Sequence, residues 1–160
     1  MNTKIYWIHQ FENNARLGIM ARPRGNDWLE DEINNLENHQ VGVLVSLLES
    51  EEIYELGLEK EIHLCRQKGI NCINFPVKDR GVPDSNEKVH ALINLLAAKL
   101  NEGHSVVVHC RMGIGRSSII AGAILLRYQS SVNNIIDNII RVRGLNVPDT
   151  DEQLQWLKRQ

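Results

Sequence analysis

No stretch of this 160-residue chain is long and apolar enough to cross a bilayer. The longest apolar segments, Val41 to Leu48 and Ile119 to Leu126, fall well short of the roughly 20 residues that a spanning helix needs. The N-terminus also lacks a basic-then-apolar secretory pattern, so the expectation is a soluble, cytoplasmic protein with no membrane partner. Cysteine is scarce: there are three, an odd number without metal-ligand spacing, which argues against a disulfide framework or a zinc site and leaves at least one thiol free. A net charge of -2 supplies no basic field of the kind that draws nucleic acid, so any anion site must be local. What remains, 42% hydrophobic and 24% charged residues, suits one core, and a single domain over residues 1–160 is expected.

The apolar pattern alternates between two periods. Short strands are expected at Lys4 to Ile8, Leu17 to Ala21, Val41 to Leu47, Ile70 to Val77 and Ser105 to His109, the last a continuous β-branched run typical of a central strand. Helical spacing is expected from Asp27 to before Gln40, across Glu51 to Gly69, over Val89 to Leu100 with an Asp84/Glu87 capping box, from about Arg116, and over Val132 to Arg143 and Thr150 to Lys158. Strands alternating with helices predict an α/β fold, a largely parallel sheet with helices on both faces. Such sheets bind ligands beyond the carboxyl ends of their strands. The loop after His109 is the place to look.

That loop reads His109-Cys110-Arg111-Met112-Gly113-Ile114-Gly115-Arg116-Ser117. Gly113 and Gly115 allow the backbone to turn successive N–H groups inward, and the helix that follows adds its positive end, so residues 111–116 form a nest for a phosphate dianion. The same field favours a thiolate over a thiol, which makes Cys110 a nucleophile. Arg116 offers a planar fork to two phosphate oxygens and stays charged as they gather charge. Ser117 is placed to donate a hydrogen bond to the sulfur and so help it leave a phosphocysteine. His109 is expected to anchor the loop through backbone contacts.

His-Cys-x5-Arg-Ser resembles the signature of the protein tyrosine phosphatase superfamily, including its dual-specificity branch, and the short chain looks closer to small dual-specificity and kinase-associated phosphatases than to large tyrosine-specific domains. The resemblance implies a four- or five-stranded, mainly parallel sheet flanked by helices. It also implies hydrolysis of phosphotyrosine, and of phosphoserine or phosphothreonine, on a protein or peptide through a phosphocysteine. No cofactor or metal is implied, and phosphate or vanadate oxyanions would occupy the site. Phe75-Pro76-Val77-Lys78-Asp79-Arg80-Gly81-Val82-Pro83 resembles the family's general-acid loop, which makes Asp79 the proton donor. Asp84, the rival, has a sufficient explanation as a helix N-cap.

Pro148-Asp149-Thr150-Asp151-Glu152-Gln153 resembles the segment that supplies a water-positioning glutamine in many members. Gln153 either takes that role or is an exposed residue in the first turn of the last helix. Glu49 and Glu52 could reach Arg116, as a carboxylate does in relatives, but a solvated acidic helix start is the preferred reading. Arg22 and Arg24 fall in an early loop, and Lys78, Arg80 and Arg111 would surround the mouth if the loops fall as expected, with ordinary surface charge preferred for each except Arg111. Cys65 and Cys72 are read as core residues rather than disulfide partners of Cys110, and His63, His90 and His104 as surface residues. Two rival readings remain: a phosphate-recognising module without turnover, and a rhodanese-type sulfurtransferase.

Overall fold

The computed structural model describes residues 1–160. Five strands form one sheet: β1 (Tyr6–Gln10), β2 (Arg16–Met20), β3 (Val41–Ser46), β4 (Asn71–Asn74) and β5 (Ser105–His109), in the order β1-β2-β5-β3-β4. The pairings β2/β5, β5/β3 and β3/β4 are parallel, while β1 runs antiparallel to β2 on the edge. A tight turn explains that exception: the β1–β2 link is closed by Phe11 N–H donating to Ala15 O, with Asn14 at φ 71°, and so short a link permits only an antiparallel pair.

Period-two alternation sorts each strand between two cores. Leu17, Ile19, Val43, Val45, Val106 and Val108 face α4 (Asn86–Asn101), α5 (Arg116–Leu125), α6 (Val132–Arg143) and α7 (Asp151–Lys158). Met20, Leu44 and Val107 point the other way, toward α1 (Leu29–Asn38) and α3 (Glu61–Gln67). β5 lies at the centre with both faces covered, which is why its sequence is an unbroken apolar run. The expected mainly parallel sheet with helices on both faces is what the chain forms.

Three local expectations change. The stretch from Glu51 to Gly69 is two helices, α2 (Ser50–Glu55) and α3, because Gly57 takes a left-handed φ of 68° between them, a conformation that ends a helix. Helix α4 is capped by Ser85, whose side chain accepts from Lys88 N–H at 3.2 Å, rather than by an Asp84/Glu87 box. β4 stops at Asn74, short of Pro76, and lies on the sheet edge, where the lost N–H of a following proline costs no ladder bond.

Candidate active site

The parallel strands β2, β5 and β3 all end on one side of the sheet, and the loop from Cys110 to Gly115 rises there from the end of β5 into the first turn of α5. Gly113 is required on two counts. Its φ is 70°, and a Cβ would stand 2.7 Å from the Met20 carbonyl carbon and 2.8 Å from Ala21 N. The loop therefore packs backbone-to-backbone on the end of β2, a contact tied further by Arg22 N–H donating to Arg111 O at 3.2 Å. Gly113→Ala combines left-handed strain with a backbone clash, and is expected to lower stability by about 2–4 kcal/mol, measurable as a shift in the urea midpoint.

Cys110 is 3% exposed, and its Sγ lies 3.3 Å from Ser117 Oγ in the first turn of α5. Arg116, 2% exposed, is held from three directions: Glu52 takes it in a two-point fork (Nη1 to Oε1 2.7 Å, Nη2 to Oε2 2.9 Å), Val77 O accepts from Nη1 at 3.0 Å, and Asp79 Oδ1 lies 3.2 Å from Nη2. Burial alone would pull the guanidinium's pKa down, but the Glu52 hydrogen bonds and the charges of Cys110, Glu52 and Asp79 raise it above its ordinary value, so it stays cationic. Burial likewise pushes Glu52 up. The Arg116 hydrogen bond, the Glu49 backbone N–H and the charges of Arg116 and Arg111 outweigh it and hold the carboxyl below its ordinary range. The reading of Glu52 as a solvated helix start is thus corrected: α2 turns it inward onto Arg116, while Glu49 stays outside as the N-cap of α2.

Over this floor lies a cavity of about 210 Å³ that brings together Asp79, Cys110, Arg111, Arg116 and Gln153, with Arg80, Met112, Ile114, Gly115 and Asp149 completing its wall. Asp84 is not among them. The Asp79 loop turns through Gly81 N–H donating to Lys78 O at 2.8 Å, and is fastened at two points: Arg80 pairs with Asp149 at 3.0 Å, and Gln153 Nε2 donates to Gly81 O at 3.0 Å.

Gln153 is fully buried, so its reading as an exposed first-turn residue fails. Its Oε1 accepts from the N–H groups of Asp149 and Thr150 while Thr150 caps α7, and its carboxamide packs on Gly115, where a Cβ would lie 2.7 Å from Oε1. The side chain therefore joins the Asp79 loop, the loop from Cys110 to Gly115 and α7.

Of the three basic residues expected at the mouth, Lys78, Arg80 and Arg111, the last two line the cavity. Arg111 leans on Glu55 at 3.5 Å and on Glu52 at 3.8 Å. Arg22, Arg24 and Lys78 do not line it, and Arg24 is drawn instead to Glu32 and the Trp28 ring. Cys65 and Cys72 belong to the core on the opposite face of the sheet from Cys110.

Two contacts have no sequence signal. Arg143 of α6 reaches back to the loop, its Nε donating to Gly113 O at 2.9 Å and Nη2 to Met112 O at 3.2 Å, with its guanidinium over the Tyr6 ring. His109, fully buried, sets Nδ1 3.2 Å from Cys110 O and Nε2 2.8 Å from Glu61 Oε2. The ring thus lies between a backbone carbonyl of the loop and a buried acid that the sequence did not point to.

Comparison with known proteins places this geometry. A family described as "Tc-R-P: Polymorphic toxin system, DSP-PTPase phosphatase" matches residues 18–130. The chain belongs to this DSP-PTPase phosphatase family. Among curated relatives, cyclin-dependent kinase inhibitor 3 of Rattus norvegicus is 31% identical over 108 residues, covering 66% of this chain and 50% of the relative. Protein tyrosine phosphatase type IVA 2 of Mus musculus is 29% identical over 101 residues, covering 54% and 60%. The chain thus spans about half the length of the first of these relatives. Among solved structures, kinase associated phosphatase with serine in place of its catalytic-site cysteine superposes with a TM-score of 0.87 at 21% identity, covering 98% of this chain and 93% of that one. Tk-PTP in its active form gives 0.78 at 22% identity, covering 97% and 94%. These two share the fold of this chain. No helix in it is long and apolar enough to cross a membrane.

Proposed function

We propose that the chain is a cysteine-dependent protein phosphatase that hydrolyses phosphotyrosine, and phosphoserine or phosphothreonine, through a phosphocysteine at Cys110. The observation that carries this reading is the convergence, within one cavity, of a nucleophilic sulfur, an arginine locked by a buried carboxylate, and a second carboxylate 3.2 Å from that arginine. The phosphate dianion sits in the nest of residues 111–116, with Arg116 presenting its fork to two equatorial oxygens. Because Glu52 already fixes the guanidinium, little reorganisation is needed as charge develops on those oxygens.

The Cys110 thiolate attacks phosphorus in line, the bond from phosphorus to the leaving oxygen breaks, and Asp79 gives that oxygen its proton. Water then attacks the phosphocysteine with Asp79 as base, and Ser117 donates to the departing sulfur. Asp79 is 58% exposed, as suits a residue that must meet both leaving group and water. Gln153, whose Oε1 is committed to two backbone N–H groups, fits the tethering of the Asp79 loop better than the positioning of water. A phosphate-binding module without turnover does not account for Asp79 at the arginine, and a sulfurtransferase does not account for the Arg116–Glu52 fork.

Asp79→Asn is expected to slow hydrolysis of phenyl phosphate, a poor leaving group, by about 100-fold, and of p-nitrophenyl phosphate by about tenfold or less. Equal losses would remove Asp79 from the role of acid. The reading as a whole is tested by release of phosphate from phosphotyrosine and phosphothreonine peptides in EDTA, with vanadate as inhibitor. Vanadate-sensitive, EDTA-resistant release supports it, and a folded, reduced protein that releases none favours the binding module.

A further inference from the structure

We propose that Glu61 is a positioning residue for the chemistry at Cys110: it holds the buried His109 ring as an imidazolium, whose second N–H polarises the first peptide of the phosphate-binding loop. The effect on turnover rests on the phosphatase reading above; the state of the ring rests on geometry alone.

Cys110 O accepts and cannot donate, and an ionised Glu61 carboxylate only accepts. A neutral imidazole has one N–H, so it would satisfy one of these contacts and set lone pair against lone pair in the other. With His109 fully buried and Glu61 3% exposed, bulk water does not relieve the mismatch, and an unmade hydrogen bond there carries its full desolvation cost. A proton on each ring nitrogen satisfies both contacts, at 2.8 Å to Glu61 and 3.2 Å to Cys110 O. The proton between ring and carboxylate belongs on the imidazole, ordinarily more basic than a glutamate by about two pKa units.

The surroundings agree. Burial by itself pushes His109 down, but the charge of Glu61, its hydrogen bond and the Cys110 carbonyl together lift the ring above its ordinary value, against the opposing charge of Arg116. Apart from the Cys110 sulfur, whose charge acts on Arg116, the other groups facing the pair supply no substitute anion. Cys110 and Arg116 come from the loop and the start of α5. Glu52, from α2, is spent on Arg116. Cys72 on β4 faces Glu61 with a thiol pushed up by its contact with Cys65 and by burial, and so kept neutral.

The consequence reaches the reaction through one peptide unit. A charged donor on Cys110 O draws electron density from the Cys110–Arg111 amide, and cooperative polarisation makes the next N–H, that of Arg111, a stronger donor to an anion at the loop. With Glu61 in place the ring keeps its proton beyond its ordinary titration range. Without that charge, burial and Arg116 would bring its titration below that range.

The test follows the ring nitrogens of the ¹⁵N-histidine-labelled chain from pH 5.5 to 8.5 in wild type, Glu61→Gln and Glu61→Asp, using His109→Asn to assign the signal. In parallel, kcat/KM for p-nitrophenyl phosphate is measured across the same range. Wild type is expected to keep both ring nitrogens protonated at neutral pH. In Glu61→Gln the ring should titrate below about 6.5, and kcat/KM should match wild type at the acid end and fall about tenfold at the alkaline end. Glu61→Asp should restore most of both. A neutral His109 in wild type at pH 7, or a Glu61→Gln deficit equal at every pH, would overturn the proposal. If wild type hydrolyses no phosphate ester, the functional reading falls and takes the effect on turnover with it, while the ring nitrogens still decide the imidazolium.

Discussion

Cys110→Ser is expected to lower p-nitrophenyl phosphate hydrolysis by about 10⁴-fold or more, with the melting temperature close to that of wild type. The two halves of this result have separate causes. Serine is nearly isosteric with cysteine, and the sulfur's polar neighbour, Ser117 Oγ at 3.3 Å, can pair equally with a hydroxyl, so neither cavity nor unsatisfied group is created. Only the nucleophile changes: a serine hydroxyl is a far weaker nucleophile than a cysteine sulfur, and no other side chain in the cavity can replace it. Parallel thermal melts and assays on the same preparations check both halves.

Glu52→Gln is expected to be the most destabilising single change at the site, costing about 3–5 kcal/mol through the charge it leaves behind. Arg116 is 2% exposed and its two terminal nitrogens meet both Glu52 oxygens, whereas a carboxamide offers one acceptor and sets an N–H against the guanidinium. A denaturant melt of the variant at pH 7 measures the loss. The pH dependence distinguishes a lost ion pair from general damage. The folded pKa of Glu52 lies below its ordinary value near 4.5, so the pair stabilises fully above that pH, and the contribution disappears as pH falls through the folded value. Wild type should therefore lose stability steeply below about pH 4.5, and the Gln variant should show a shallower decline there. Catalysis should suffer as well, since a guanidinium released from Glu52 no longer points its fork at the phosphate.

The parts of this molecule that were legible in the sequence are those written by local rules. Val106, Val107 and Val108 announce a strand covered on both faces, and Gly113 and Gly115 announce a loop that must approach other backbone. The Ser117 that follows Arg116 opens the helix beside the sulfur, its Oγ 3.3 Å away. What sequence could not show depends on segments far apart in the chain. Glu52 and Glu61 sit in a run of charged residues that reads as one solvated helix, and only the break at Gly57 aims the two acids separately at Arg116 and His109, 64 and 48 residues away. Arg143 looks like an ordinary basic residue at a helix end until α6 is docked beside β1 and the loop. Gln153 carries a legible capping pattern with Thr150, but its burial follows from α7 packing against α5, a tertiary fact.

The central claim is a covalent bond between Cys110 and phosphorus. It is tested most directly by mixing the full chain with ³²P-labelled phosphotyrosine peptide in EDTA, quenching within milliseconds and measuring the label on denatured protein. Labelled wild type that decays as phosphate is released is expected, with no label on Cys110→Ser. Release of phosphate with no labelled protein at any time, or equal labelling of the serine variant, would contradict the claim.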